Sequence, residues 1–470
     1  MRPARAYACS LLMVGLGGCA TQVPKPRAPD LPPSFEQAGT TPAAWPSRDW
    51  YRGFGSAELE ALIAEAAEHN FDVASARARV AAADARARQA HAAILPSVDA
   101  TGAANYLAGH SSEGTGHETD WSVLLSARYE VDFWGKNRAA AESARHQAGA
   151  ARADRDTVAL TSLAGVADGY FTVLSLRERL AAARANLEAA RSLLSIVESR
   201  FNVGLGAPVE VASQRAALAA AEITVPDLER QEGEAVAAVA LLLGRAPEGF
   251  KLAGTTLEGL KEPDVAAGLP SELLRRRPDL VRTEQQLASA GADLAAARAA
   301  LFPSLTLTAE GGIQTPALNA AVLTLGGTGS TLNLGAALLQ PLLDGGKLRA
   351  VRAESEAKLE EAAVGYRAAI VGALVDVENA LAAIHHLDAA RDPQVAAVAE
   401  SEKAYEGARL RYQEGYGDFL AALEAERSVF TARDQFSQYR LARLQALVSL
   451  CKALGGGWQA PENASAEASN

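Results

Sequence analysis

A Pro-Ser step opens a strand-like stretch twice in this chain of 470 residues. Residues 93–106 read AILPSVDATGAANY, and residues 300–313 read ALFPSLTLTAEGGI, an offset of 207 positions. In both places a helix-like segment ends at the Pro-Ser step, and apolar and polar residues then alternate. Because residues two apart lie on one face of a strand, the alternation predicts strands with one apolar and one polar face.

Four such strands are predicted. They cover about residues 97–107, 121–133, 304–314 and 331–340, and the loops at 108–120 and 315–330 are rich in Gly, Ser and Thr. A tilted strand of about 9–11 residues is long enough to cross a bilayer. A soluble sheet half-buried on a core is the alternative. It is less favoured, because the only partners for such a core are helices with apolar seams of their own.

Very long helices flank these strands. Apolar residues recur in alternating steps of three and four along Val173, Leu176, Leu180, Ala183, Leu187, Ala190, Leu194, Val197 and Phe201. A repeat of 3.5 residues is typical of helices that pack as left-handed coiled coils. Residues 136–201 contain no proline, so one helix would extend roughly 100 Å at about 1.5 Å per residue. We expect the chain to turn back at Gly204 and again at Gly415.

The second half of the chain repeats the landmarks of the first half in the same order. Asp132 before a long helix is matched by Asp344, and Arg200 before the first turn is matched by Arg411. This order indicates an internal duplication. It divides the chain into a first repeat at 51–245, a connecting segment at 246–270, a second repeat at 271–455 and a tail at 456–470, with hairpin tips near 202–208 and 413–419.

The number of strands predicts an oligomer. Four strands cannot close around a lumen, and unpaired strand edges are not tolerated in lipid, because their backbone groups would lack hydrogen-bond partners. The chain would therefore share one barrel with further copies of itself.

The N-terminus has the pattern of a bacterial export signal. Arg2 and Arg5 precede a short apolar stretch within residues 1–18, which ends Leu-Gly-Gly before Cys19. That ending resembles a lipobox, in which the signal is cut before a cysteine that then carries lipid. A plain secretory signal with a chance cysteine is the alternative. Residues 19–50 are rich in proline, which suits a linker that leaves a membrane anchor.

Composition and motifs argue against several other classes of protein. The net charge of −11 disfavours a nucleic-acid binder held by phosphate contacts. Cys9 would be lost with the signal and Cys19 would carry lipid, so Cys451 would be alone, without a disulfide or a zinc cluster. The pair His385-His386 could be read as a metal site, but a solvent-exposed break of the helix near Pro393 is the favoured interpretation. No cofactor is expected, and no catalytic arrangement is recognisable.

The chain resembles the outer membrane factor family, the TolC-like exit ducts of tripartite efflux pumps. It looks most like the lipoprotein branch that works with pumps of the resistance-nodulation-division (RND) type. The resemblance covers about residues 50–455 and rests on the lipobox, the Pro-Ser strand openings, the two Gly tips and the segment LPSELLRRRPD at 269–279.

The resemblance implies a mixed α and β fold and a passive conduit without enzymatic activity. Three protomers, each giving four transmembrane strands, would form a 12-stranded β-barrel continued by a long coiled-coil α-helical periplasmic barrel. The expected partners are two further copies of the chain, a periplasmic adaptor, an inner-membrane RND-type pump and outer-membrane lipid. The protein would be lipid-anchored in the outer membrane, with its helices in the periplasm.

The resemblance also places function at the hairpin tips. The residues that would meet the adaptor are Val203, Gly204 and Leu205 at the first tip and Gly415, Tyr416 and Gly417 at the second. Glu210, Glu424 and Tyr412 match positions that narrow the tunnel or hold its closed state. The alternative for each glutamate is a solvated charge on a helix. Ala421 and Gly417 depart from the family pattern, since some members have an acid and a basic residue there.

Two other functions remain open from the sequence. One is the outlet of a type I protein secretion system, which the lipobox and the Arg-Arg-Arg-Pro-Asp segment disfavour. The other is a structural coiled-coil lipoprotein without a pore, which would not require four two-faced strands.

Overall fold

The structure is a computed structural model that describes residues 31–36, 45–111, 114–265, 267–315 and 330–459. The predicted signal peptide, Cys19, much of the linker, most of the 315–330 loop and most of the tail lie outside these residues. The chain forms two compact units. Unit 1 contains Ala87–His146 and Leu287–Val364, and unit 2 contains the other described residues.

Helices make up most of the described chain. They are α1 (Ala57–His69), α2 (Phe71–Ala92), α3 (Lys136–Asn202), α4 (Pro208–Leu242), α5 (Leu273–Arg276), α6 (Pro278–Ala299), α7 (Lys347–Gln413) and α8 (Phe419–Ala453), with short 3-10 turns at Trp50–Phe54 and Pro270–Glu272. The long helices α3 and α7 each contain 67 residues. Both include a stretch that is long and apolar enough to cross a membrane by length and composition alone.

Four antiparallel strands form the sheet of unit 1. They are β1 (Ser97–Ser111), β2 (Gly114–Val131), β3 (Ser304–Thr315) and β4 (Ser330–Leu339), and they pair in the order β1-β2-β3-β4. Consecutive strands are therefore neighbours, and each outer strand has one edge without a partner among the described residues.

The register collects apolar residues on one face of this sheet. Ala127 pairs with Val98 on one side and with Ala309 on the other, and Ala309 pairs with Leu334. The same face carries Ala100, Gly102, Ala104, Trp121, Val123, Leu125, Tyr129, Val131, Leu305, Leu307, Ile313, Leu332 and Leu338. Ser, Thr, Asp, Glu and Asn predominate on the opposite face. Val123 and Leu332, like several other side chains on the apolar face, are exposed.

Two details differ from the sequence-based prediction. The first hairpin continues through most of the predicted 108–120 loop, because residues 114–120 pair with 105–111. The second long helix does not break near His385-His386. It runs unbroken through Pro393 to Gln413. Proline removes one helical hydrogen bond and costs about 3 kcal/mol, a local loss that the rest of a 67-residue helix offsets.

The apolar seam predicted along α3 forms part of the core of unit 2. Val173, Leu176, Leu180, Ala183, Ala190 and Val197 are buried. Near the end of the helix Leu193 is buried in place of Leu194, and Phe201 is exposed. The main cluster of this core lies around Phe54 and Phe171, whose rings are 4.9 Å apart.

Arg277, in the segment LPSELLRRRPD at 269–279, is buried and bonded to three other parts of the chain. Its buried guanidinium donates to Asp279 at 2.7 Å, to Asp376 of α7 at 2.9 Å and to the carbonyl of Ala453 at the end of α8 at 3.2 Å. Burial lowers the pKa of Arg277, but the bonds to the two carboxylates outweigh it and the net pKa is raised. One buried arginine thus joins α7 and α8 to the start of the second repeat.

Candidate functional site at the hairpin tips

The two hairpin turns of unit 2 have the same backbone structure. At the first turn the Leu205 amide donates to the Arg200 carbonyl at 2.8 Å, and at the second the Tyr416 amide donates to the Arg411 carbonyl at 2.9 Å. Gly204 and Gly415 have φ of 78° and 84°. Such bonds around a left-handed residue end many helices, and glycine adopts that conformation without a Cβ penalty. Both tips therefore depend on their glycine.

Apolar side chains at the tips point into solvent. Val203 and Leu205 are each 69% exposed, and Tyr416 is 88% exposed. Gly417 is different, because a Cβ there would lie 2.7 Å from the backbone nitrogen of Tyr412. The second tip thus has no room for a side chain at position 417.

Glu210 and Tyr412 come together although they are 202 positions apart in the sequence. The buried Tyr412 donates its hydroxyl proton to Glu210 Oε2 at 3.4 Å, and the Ala207 amide donates to the same oxygen at 3.2 Å. Arg200 lies 4.8 Å from the Tyr412 ring centroid and donates to the Tyr412 carbonyl at 3.0 Å. Burial and the nearby Glu210 carboxylate raise the pKa of Tyr412. This tyrosine joins the two hairpins just behind their tips.

An apolar cluster from the other three long helices supports Tyr412. It contains Leu193 and Val197 of α3, Val211 of α4, and Phe419, Ala422 and Leu423 of α8. The Tyr412 and Phe419 rings are 5.9 Å apart. The hydroxyl is thus fixed in position by packing on the ring.

Glu424 does not join this contact set. It lies on the exposed side of α8, one residue after the buried Leu423. Of the three predicted aperture residues, the structure therefore brings two together within one protomer and leaves Glu424 facing solvent.

Sequence analysis missed a second polar contact in the same bundle. Gln214 of α4 is fully buried, and its amide nitrogen donates to Glu426 Oε2 at 3.3 Å and to the Ala190 carbonyl of α3 at 3.2 Å. Burial raises the pKa of Glu426 against the lowering effects of Gln214 and Arg427. The sequence does contain a signal for this contact, because Gln214 and Glu426 stand at core-facing positions of helix seams that are otherwise apolar.

The other candidates have structural roles or none. Among the described residues, no three His, Cys, Asp or Glu side chains are placed to hold a metal ion together. Cys451 is fully buried, and burial raises its pKa to about 12, so the thiol stays protonated.

The family described as outer membrane efflux protein matches residues 62–245 and again residues 269–456. The chain belongs to this family. The pyoverdine export outer membrane protein OpmQ of Pseudomonas aeruginosa is 42% identical over 421 residues, 88% of each chain. The cation efflux system protein CusC of Escherichia coli is 29% identical, over 96% of this chain and 99% of CusC. The solved outer-membrane channel OprN has a TM-score of 0.83 at 27% identity, and the alignment covers 93% of this chain and 99% of OprN.

These similarities establish the class of protein. The chain is an outer-membrane efflux channel of the kind that works with an adaptor and an inner-membrane transporter in tripartite pumps. The family consists of channel proteins, so no reaction is assigned to the site at the tips.

Proposed function

We propose that three copies of the chain form a lipid-anchored exit duct that conducts small molecules passively to the exterior. The observation that carries this proposal is the sheet of unit 1, with one continuous apolar face and two outer edges unpaired among the described residues. Three such sheets joined edge to edge would give twelve strands. Closure would satisfy the strand edges and turn the apolar face to lipid.

Lipidation at Cys19 is part of the same proposal. It rests on the Leu-Gly-Gly-Cys ending of the signal and on the proline-rich stretch that follows. An acyl anchor would hold the N-terminus at the membrane.

The hairpin tips would form the narrow mouth of the duct. In a trimer, three copies of Glu210 and three of Glu424 around one axis would repel each other and attract cations. Tyr412 would hold Glu210 in place, as its 3.4 Å hydrogen bond within the protomer supports. The mouth would then be cation-selective and held shut by contacts between the hairpins.

Single-channel recording in planar bilayers tests this mouth. Glu210→Ala with Glu424→Ala removes charge and contact together, and we expect conductance to rise roughly two- to tenfold and cation selectivity to fall. Glu210→Gln keeps an acceptor for Tyr412 and the Ala207 amide but loses the charge, so it should lower selectivity with a smaller rise in conductance.

The matched control is Glu222→Ala, an exposed glutamate on the body of α4. Its recordings should match those of the wild type. Unchanged conductance and selectivity in the double variant would remove both glutamates from the aperture.

The exposed apolar tips favour contact with a periplasmic adaptor. Val203, Leu205 and Tyr416 would lose water on docking, and Gly204 and Gly415 would let the partner approach the backbone closely. The resemblance points to an RND-type pump as the inner-membrane partner, and this class stays a prediction.

The cargo is proposed from the relatives. OpmQ is named for export of pyoverdine and CusC for efflux of cations, so membership of the family does not fix the cargo. Since OpmQ is 42% identical, pyoverdine is the first cargo to test, before toxic compounds and drugs. Loss of secreted pyoverdine on deletion of the gene, restored by the wild-type chain, is the expected result. Unchanged secretion would exclude this cargo.

A further inference from the structure

A buried polar contact joins the two repeats inside the helix bundle. Gln214 lies one helical turn beyond Glu210 on α4, and Glu426 lies on α8. Gln214 is 0% and Glu426 3% exposed. The Gln214 amide nitrogen bonds both Glu426 and the Ala190 carbonyl, so one side chain connects α3, α4 and α8.

When Glu426 is ionised, one buried polar atom of this contact has no hydrogen-bond partner among the described residues. The Gln214 amide uses its nitrogen for two bonds, while its buried Oε1 has no partner among the described residues. An ionised carboxylate only accepts hydrogen bonds, so it cannot satisfy Oε1. A protonated carboxyl group has one O–H to donate. It would complete a reciprocal pair, in which the amide N–H bonds one carboxyl oxygen and the carboxyl O–H bonds the amide oxygen.

The surroundings of Glu426 also favour its neutral form. Glu426 interacts with Tyr405 of α7 and accepts a hydrogen bond from the neutral amide of Gln214 of α4, and that amide also binds the carbonyl of Ala190 of α3. Its own helix contributes Arg427, which is exposed. No lysine or arginine in the described part of the chain forms an ion pair with Glu426. Burying an unpaired carboxylate is costly, so protonation relieves it.

We propose that Gln214 and Glu426 form a proton-dependent latch between the two hairpins, closed when Glu426 is protonated and loosened when it is ionised. The proposal rests on the proposed function only in one respect, that the hairpins surround a conducting mouth. Acidic surroundings would then hold the tips together, and a rise in pH would free them, independently of the Glu210–Tyr412 contact one turn closer to the tip.

Hydrogen exchange at the tips tests the latch without requiring a pore. Exchange of residues 203–206 and 414–417 is compared between wild type and Glu426→Gln at pH 5 and at pH 8 in the full-length, detergent-solubilised protein. Glutamine stays neutral and supplies both a donor and an acceptor. Because both proteins are measured at the same pH, the intrinsic effect of pH on exchange cancels. We expect equal rates at pH 5 and roughly three- to tenfold faster exchange in the wild type at pH 8.

A second variant removes the partner and keeps the carboxyl group. Gln214→Leu should exchange rapidly at the tips at both pH values, and a thermal melt checks that it is folded. Glu222→Gln is the control, an exposed glutamate on the same helix, and should follow the wild type at both pH values.

Bilayer recordings of the same proteins separate the two proposals. Wild-type conductance should rise from pH 5 to pH 8, while Glu426→Gln should keep its low value. If exchange responds as expected but no protein conducts, the latch stands and the proposed duct fails. If wild type and Glu426→Gln exchange equally at both pH values, the latch is overturned whatever the conductance.

Discussion

Burial inside unit 2 raises the pKa of Asp168, a single acidic residue. Asp168 of α3 has a buried Oδ1 without a hydrogen-bond partner among the described residues. Burial raises its pKa from 3.8 to about 6, and Lys452 offsets only part of this effect. The folded protein therefore binds more protons than the unfolded chain between these pH values. Stability conferred by the protonated form is lost as pH rises through this range.

Asp168→Asn should therefore stabilise the protein at neutral pH. The neutral amide avoids the cost of burying a charge, which is on the order of 2–3 kcal/mol above pH 6. We expect a higher melting temperature than wild type at pH 8 and a gap that closes near pH 4. Asp227→Asn is the control, because Asp227 is exposed and its pKa is lowered by Arg230 and Gln231. An Asp168→Asn gap that does not change with pH would contradict this assignment.

At the scale of elements, the two helical hairpins present equivalent turns with different side chains. The first tip exposes Val203 and Leu205, and the second exposes Tyr416. The glycine conformations fix the turns, so substitutions at the exposed positions leave the backbone structure intact. The tips can therefore be altered chemically without unfolding the hairpins.

Leu205→Asp with Tyr416→Asp should weaken docking of a periplasmic adaptor by at least about tenfold, since truncating or charging central apolar anchors typically costs 2 kcal/mol or more. Surface plasmon resonance with an adaptor that binds the wild type measures the change. Ser195→Asp, on the exposed body of α3, is the matched control for added charge. Equal affinities for all three proteins would place the docking surface elsewhere.

At the scale of the whole molecule, unpaired strand edges are the strongest reason for assembly. β1 and β4 each pair on one side only among the described residues. The exposed apolar face of the sheet is also suited to lipid and not to water. The proposed assembly of several copies in a bilayer would satisfy both features.

Light scattering on the detergent-extracted particle, corrected for bound detergent, should give three protomers. Mass spectrometry of the same sample should show a chain that begins at Cys19 and carries acyl groups. Cys19→Ser is the control for lipidation, and it should remove the acyl mass and leave three protomers. A folded, monodisperse monomer would contradict the barrel and favour a structural lipoprotein without a pore.

Sequence alone determined the periodic features of this protein. Alternation after the two Pro-Ser steps gave four strands with an apolar face, and the 3.5-residue seam gave the long α3, because both patterns are local. Strand and helix ends were less well defined, as the longer first hairpin and the unbroken α7 show. Pairing across the duplication was decided by the tertiary structure. Contacts such as Gln214–Glu426, and burial such as that of Asp168, depend on the packing of helices from both repeats, which no local pattern encodes.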